Sequence, residues 1–151
     1  MPTREGWLYL AVTLDLYSRA VVGYAMAASM PATLPLAAFQ MAARRRDPPS
    51  GLLHHSDRGS QYASRLFQEE LARLRARGSM SRKGDCWDNA VVESFFSSLK
   101  RELFGDAIFE NREVARQAVF EFIEVFYNRQ RRHSTLGYLT PHEFERQATA
   151  A

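Results

Sequence analysis

Cysteine is almost absent from this sequence of 151 residues, because Cys86 is the only one. A single thiol cannot form a disulfide within the chain, and it cannot complete a cysteine-based zinc site. Any metal ion that the chain binds must therefore be held by oxygen or imidazole ligands.

Long hydrophobic runs are missing too. The longest apolar segment, residues 7–14, contains Thr13 and stops before Asp15, so it is too short to cross a bilayer. The first residues show neither a basic leader nor a small-residue cleavage site, which argues against a signal peptide. We therefore expect no membrane partner and a cytoplasmic location.

Lysine is scarce, with 2 lysines beside 18 arginines, and the net charge is only +3. The arginine guanidinium is a planar fork that suits phosphate, so clustered arginines favour a polyanionic partner such as nucleic acid. The alternative, that each cluster is a solvated helix face, stays open on charge alone. The clusters lie at residues 44–46, 73–77, 82–83, 100–101 and 129–132.

The apolar content, in contrast, is ordinary. Hydrophobic residues make up 46% of the chain and aromatic residues 12%, enough to bury the core of one globular domain. Alternation and turn residues predict a β-hairpin from residues 7–15 and 19–27, and a short buried strand at residues 52–55. Helical spacing predicts helices over residues 31–46, 63–77, 90–104 and 112–129, with Gly78 and Gly105 as stops and Pro141 opening a last short helix.

Two carboxylates occupy positions that suit chemistry. Asp57 follows the predicted strand, and ligands of open α/β sheets gather at the carboxyl ends of strands, where an acid can hold a hard cation. Glu93 lies on the next long helix, on the same side as Asn89 and Lys100. Spacing alone leaves open that both acids are ordinary surface residues. A polar loop from Gly84 to Asn89 separates them.

Histidine chemistry is a weaker alternative at the same place. His54 and His55 are neighbours on a predicted strand, so their side chains point to opposite faces and cannot act together. A hydrolase triad of Ser56, His55 and Asp57 fails for the same reason, because adjacent residues cannot form the required chain of hydrogen bonds. We predict that His54 packs in the fold, and the role of His55 stays open.

Longer motifs surround the two acids. The segments at residues 54–62 (HHSDRGSQY), 81–90 (SRKGDCWDNA) and 93–96 (ESFF) resemble those of bacterial insertion-sequence transposases. The resemblance extends to residues 7–23 and to the tail at residues 127–138 (YNRQRRHSTLGY), so it covers nearly the whole chain. That family is similar to retroviral integrases.

The resemblance implies a fold, a site and a reaction. The fold is α/β, a ribonuclease-H-like integrase catalytic core over residues 1–138, with a short terminal helix at residues 139–151. The family uses an Asp, Asp, Glu triad whose last two acids are separated by 35 residues, and residues 58–92 number 35. Asp57 and Glu93 thus correspond to the second and third acids, which hold Mg²⁺ or Mn²⁺ for DNA cleavage and strand transfer.

The first acid has no counterpart here. In the family it stands on the opening strand, directly before the segment that matches residues 2–7, so we expect this core to lack its first strand and the chain alone to be inactive or nearly so. Asp15 is expected to be a turn residue at the wrong end of its strand. Residues 7–15 would then be an open edge, which predicts self-association.

Several functional alternatives stay open. The partners implied are transposon-end and target DNA, a second copy of the chain, and an upstream transposase subunit that carries the first acid. Other possibilities are a non-catalytic remnant that only binds DNA or dimerises, and a nuclease with the same fold. The family resemblance also makes a set of residues candidates for DNA contact: Arg58, Gln61, Arg82, Lys83, Trp87, Asn89, Lys100, Arg129, Arg131, Arg132 and His133.

Overall fold

The computed structural model describes residues 1–31, 33–46, 53–56, 65–73, 77–80 and 86–150. At residues 53–56, 67, 77–80, 86–89 and 148–150 it describes the backbone alone. In the described part, no helix combines the length and the apolar character needed to cross a membrane.

The chain begins with a small hairpin of strands β1 (Pro2–Thr3) and β2 (Gly6–Trp7). Gly6 has a φ of 120°, which favours glycine, and the Thr3 hydroxyl donates to its carbonyl oxygen at 2.6 Å. The hairpin is fixed to a distant segment, because Arg4 donates its backbone N–H to the Phe109 carbonyl at 2.9 Å. The N-terminal residues are thereby anchored beside the start of a later helix.

Strands β3 (Tyr9–Leu14) and β4 (Val21–Ala27) form an antiparallel pair, which confirms the predicted hairpin. The register pairs Tyr9 with Ala27 and shifts between Thr13 and Leu14. Asp15 is the turn residue that the sequence predicted, since its Oδ1 accepts the backbone N–H groups of Tyr17 and Ser18 at 2.8 and 3.1 Å.

Helix α1 (Thr33–Arg46) covers one face of this pair. Ala11 of β3 packs there with Leu34 and Ala38, whereas its neighbour Val12 belongs to the core on the opposite face. The close approach depends on Gly23, where an added Cβ would overlap the Ala38 carbonyl oxygen and lie 2.7 Å from the Ala42 nitrogen. One sheet is thus covered by helices on both faces.

The middle of the chain contains strand β5 (Leu53–Ser56), helix α2 (Arg65–Arg73) and strand β6 (Arg77–Met80). β5 and β6 pair in parallel, with His54 opposite Gly78. The predicted helix over residues 63–77 is therefore too long, and Gly78 does not stop it. Residues 77–80 form a strand because hydrogen bonds to β5 outweigh the local helical pattern.

Helices α3 (Cys86–Leu99) and α4 (Arg112–Glu121) cover the second face. α3 starts at Cys86, so the prediction of a loop as far as Asn89 is wrong. Each helix continues as a π-helical segment, Lys100–Phe104 after α3 and Phe122–Tyr127 after α4. The first segment ends at Gly105, as predicted, with the Gly105 N–H donating to the Lys100 carbonyl at 2.6 Å.

The tail forms a 3₁₀ turn at Ser134–Leu136 and helix α5 (Pro141–Ala150), which begins at the predicted proline. α5 packs on the turn between β3 and β4, where the rings of Phe144 and Tyr17 lie 4.9 Å apart. Glu145 accepts a hydrogen bond from the buried Ser18 hydroxyl at 3.0 Å and is bridged by Arg46 at 2.6 Å. The tail is therefore integrated with the core through side-chain contacts.

Candidate active site and adjoining arginine groove

Of the two candidate acids, the structure describes Glu93 but not Asp57. Asp57 lies outside the described residues, directly after β5, which ends at Ser56. The DNA-contact candidates Arg58, Gln61, Arg82 and Lys83 also lie outside them. Trp87 and Asn89 lie in the first turn of α3, where the backbone alone is described, and Glu93 lies one turn further along this helix.

Glu93 is exposed on a well-anchored helix. The opposite side of α3 is buried through Phe95, Ser98 and Leu99. The Phe95 ring meets Tyr127 edge-on with centroids 5.0 Å apart, a geometry that aromatic quadrupoles favour. Because packing fixes this helix face, the Glu93 backbone is held in place while the carboxylate stays open to solvent.

An exposed, oxygen-bearing side chain of this kind fits a hard divalent cation. Among the described residues, no group of three or more His, Cys, Asp or Glu side chains could hold a metal ion. A complete site would therefore need Asp57 or another acid from beyond the described part. Lys100 is exposed at the start of the π-helical segment that follows α3.

A groove opens beside Glu93, starting at its neighbour Ser94. We call it the arginine groove. It has a volume of about 360 Å³, and its lining includes Arg19, Ser94, Arg131, Arg132, Ser134 and Tyr138. Three elements meet there: the turn before β4, helix α3 and the tail that follows α4. Of the predicted tail residues, Arg131, Arg132 and His133 line this groove, whereas Arg129 is exposed and does not.

Two of the groove arginines are held by the fold. Arg131 donates from Nε to both carboxylate oxygens of Glu102, at 3.0 and 3.1 Å, and its guanidinium lies 6.0 Å from the centre of the Tyr127 ring. Arg19 has a φ of 66°, an uncommon conformation for a residue other than glycine, and its N–H donates to the Asp15 carbonyl at 2.7 Å. Arg132 is exposed.

His133 also lines the groove and is only 8% exposed. Its ring stands edge-on to Tyr127 with centroids 5.2 Å apart, and its Nε2 has no hydrogen-bond partner among the described residues. Burial, together with the charges of Arg131 and Arg19, lowers the pKa of His133 to about 4. The imidazole is therefore neutral at pH 7, and it lines the groove as an uncharged ring.

Sequence reasoning missed three contributors to this region. Arg19 and Ser94 line the groove. The Asn128 amide bridges the tail to β4, because its Oδ1 accepts the Val21 N–H at 2.9 Å and its Nδ2 donates to the Val21 carbonyl at 3.0 Å. All three lie within the motifs that carried the family resemblance. The family motifs could therefore have marked these three residues as candidates. The motifs could not show which residues they contact, because those residues are far away in sequence.

The arrangement of helices around this sheet is that of a retroviral integrase catalytic core. The structure of the HTLV-2 integrase catalytic core domain in complex with magnesium (trimeric form) is similar over 95% of this chain and 88% of that one, with a TM-score of 0.67 and 17% identity. A simian T-cell lymphotropic virus intasome in complex with PP2A regulatory subunit B56 gamma is similar over 83% of this chain and 45% of that one, with a TM-score of 0.64 and 18% identity. These likenesses confirm the predicted ribonuclease-H-like fold.

Two family models, both described as integrase core domain, match residues 1–86 and 74–141. The chain belongs to the integrase core domain family.

Curated relatives confirm the resemblance to insertion-sequence transposases. The chain is 53% identical over 148 residues to transposase InsF for insertion sequence IS3fB of Escherichia coli (strain K12), covering 98% of this chain and 51% of the relative. It is 47% identical over 146 residues to the transposase for insertion sequence element IS904 of Lactococcus lactis subsp. lactis (strain IL1403), covering 97% and 58% respectively. The chain thus spans about half the length of these relatives.

Proposed function

We propose that this chain is the catalytic-core part of a DNA transposase that cuts phosphodiester bonds and joins DNA strands in a metal-dependent reaction. The observation that carries the proposal is the 53% identity to an insertion-sequence transposase over 98% of the chain. Action on a bacterial insertion element would place the protein in the cytoplasm. We further propose that residues 1–138 form the core unit and that residues 139–151 are its terminal extension.

In this proposal Asp57 and Glu93 are two of three acids that hold Mg²⁺ or Mn²⁺. When bound, such ions activate water or a 3′-hydroxyl for in-line attack and stabilise the departing 3′-oxygen. The chain's own part is to present two hard oxygen ligands, one after β5 and one on α3. The exposure of Glu93 and the rigid packing behind it support this role.

The DNA-contact residues hold the scissile bond at the acids. Lys100 and Arg129 are exposed and can approach backbone phosphates. We propose the same for Arg58, Gln61, Arg82, Lys83, Trp87 and Asn89, because they lie in the motifs around the two acids. We propose that Arg131, Arg132 and His133 contact the DNA from the arginine groove, which all three line.

The chain also pairs with other subunits in this proposal. Several large apolar side chains are exposed near β2 and α4, including Trp7 at 58%, Ile108 at 62% and Phe120 at 51%. Exposed apolar surface of this kind favours association. A second copy of the chain is the expected partner, and an upstream transposase polypeptide that carries the first acid is another.

Strand transfer is the direct test of the reaction. The 151-residue chain alone, incubated with Mn²⁺ and a DNA carrying transposon ends, should give no joined product, because one of three anionic ligands is missing. The chain fused behind the preceding segment of a relative, with its first Asp, should give joined product, and Glu93→Gln in that fusion should abolish it.

The second candidate is DNA binding without catalysis, which the arginine groove favours. It predicts that the fusion binds DNA but joins no strands in either form. Robust strand transfer by the 151-residue chain alone would contradict the requirement for a third acid.

A further inference from the structure

We propose that the arginine groove is a binding site for one phosphate group of the DNA backbone, located immediately next to the helix position of Glu93. This inference deepens the proposed function and rests on it. The groove lies on three separate elements, so it exists only in the folded chain.

The charge of the groove favours an anion. Three arginines line it, and the carboxylate that contacts this set is Glu102, which Arg131 binds through both oxygens at 3.0 and 3.1 Å. Arg19 and Arg132 form no ion pair with any acid of the described residues. Within the described part of the chain, these two arginine charges can therefore face a ligand, and a guanidinium fork matches two phosphate oxygens.

The hydrogen-bonding groups of the groove suit phosphate rather than a base. Ser94, Ser134 and Tyr138 add hydroxyl groups to the lining, and hydroxyls can donate to non-bridging phosphate oxygens. A volume of about 360 Å³ is sufficient for a phosphate with an adjoining sugar. Contacts of this kind place DNA without reading its sequence.

The groove is already built in the protein alone. The His133 N–H donates to the Leu139 carbonyl at 3.0 Å, and the His133 carbonyl accepts from Leu136 and Tyr138 at 3.0 and 2.9 Å. The neutral imidazole lines the groove and packs edge-on against Tyr127, so the charge offered to the phosphate comes from the arginines. Because little is left to order on binding, the entropic cost of capturing a phosphate is small.

The position of the groove explains what it would do. Ser94 follows Glu93 directly on α3, and one helical residue advances the backbone by about 1.5 Å. Ser94 is also turned from Glu93 by roughly a quarter of a helical turn, so a phosphate bound at Ser94 and the arginines holds a DNA strand along α3 on the side next to the acid. Such a contact restricts the movement of the strand along α3, and orientation-dependent catalysis benefits from that restriction.

The test is fluorescence anisotropy with a short labelled DNA duplex, measured for the 151-residue chain over a range of salt concentrations. The double substitution Arg19→Gln with Arg132→Gln should weaken binding and lower the slope of log affinity against log salt by about one, since the loss of one phosphate contact removes about 0.9. The matched control, Arg4→Gln with Arg65→Gln, removes the same charge from two exposed arginines and should leave the slope unchanged.

Circular dichroism melting checks that the variants fold. If the double variant does not, the exposed Arg132→Gln alone should weaken DNA binding and lower the slope, whereas Arg4→Gln alone should leave both unchanged. Equal slopes for the groove variant and the control would overturn the groove assignment while leaving the transposase proposal intact. No binding of DNA by the wild-type chain at any salt concentration would overturn both.

A second measurement separates DNA from free phosphate. Amide signals of Ser94 and Ser134 in an NMR titration should shift on addition of the duplex. Shifts caused by inorganic phosphate but absent with the duplex would assign the groove to a small anion and overturn the proposal.

Discussion

At the scale of single residues, His133 shows how the fold changes the chemistry of a side chain. In the sequence it stands in a basic tail motif and invites assignment as a DNA contact. In the fold it is buried against Tyr127, and burial with two nearby arginines lowers its pKa to about 4. It therefore packs against Tyr127 as an uncharged ring.

This lowered pKa predicts an acid-sensitive stability. The unfolded chain takes up a proton near the ordinary histidine pKa of about 6.5, whereas folded His133 stays neutral down to about pH 4. Stability from this residue is thus complete above about pH 6.5 and is lost as the pH falls towards 4. Urea unfolding from pH 8 to 4 should show a smaller loss for His133→Phe than for wild type.

The phenylalanine keeps the ring contact with Tyr127 and cannot titrate. The other histidines, His54, His55 and His142, are present in both proteins, so the difference between the two curves reports on His133. Superimposable curves would show that the folded imidazole titrates normally.

At the scale of elements, the contact between β4 and α1 depends on one missing side chain. Gly23 lets the strand approach Ala38 and Ala42 so closely that a Cβ would overlap the helix backbone. Gly23→Ala should lower the free energy of unfolding by about 2–3 kcal/mol, because backbone atoms must move apart. Gly137→Ala is the comparison, since nothing lies near its added Cβ and its φ of 67° costs about 1 kcal/mol.

Both substitutions can be measured by urea denaturation at pH 7. A Gly23→Ala variant no less stable than Gly137→Ala would mean that α1 and β4 do not pack this closely.

The local sequence pattern predicted those helices and strands that can be recognised without knowing a distant partner. The alternation of β3 and β4, the helical spacing of α1 and the proline that opens α5 were sufficient. The π-helical segment Phe122–Tyr127 was missed, because its residues also satisfy a 3.6-residue pattern. The π-helical segment buries Phe122, Ile123 and Tyr127 together. Packing against α3 therefore favours the π-helical over the α-helical conformation here. The local pattern extended the preceding helix to residue 77, because strand β6 is recognised only through its partner β5, which is distant in sequence.

At the scale of the whole molecule, the integrase-core fold brings distant motifs together. The segment with Arg19, the helix with Glu93 and the tail with Arg131 lie far apart in sequence and meet around one groove. Motif resemblance found the acids and the tail arginines. It could not find Arg19 or Ser94 as groove residues, because that role exists only where three elements converge.

The central claim is that Asp57 and Glu93 share a divalent metal ion. Isothermal titration calorimetry with Mn²⁺ measures it directly in four proteins: wild type, Asp57→Asn, Glu93→Gln and Asp106→Asn. Asp106 is an exposed acid outside the proposed site, and all three substitutions remove one carboxylate charge without changing side-chain size. The account predicts a binding isotherm for wild type and Asp106→Asn that disappears in Asp57→Asn and Glu93→Gln. Equal binding by all four proteins would contradict it.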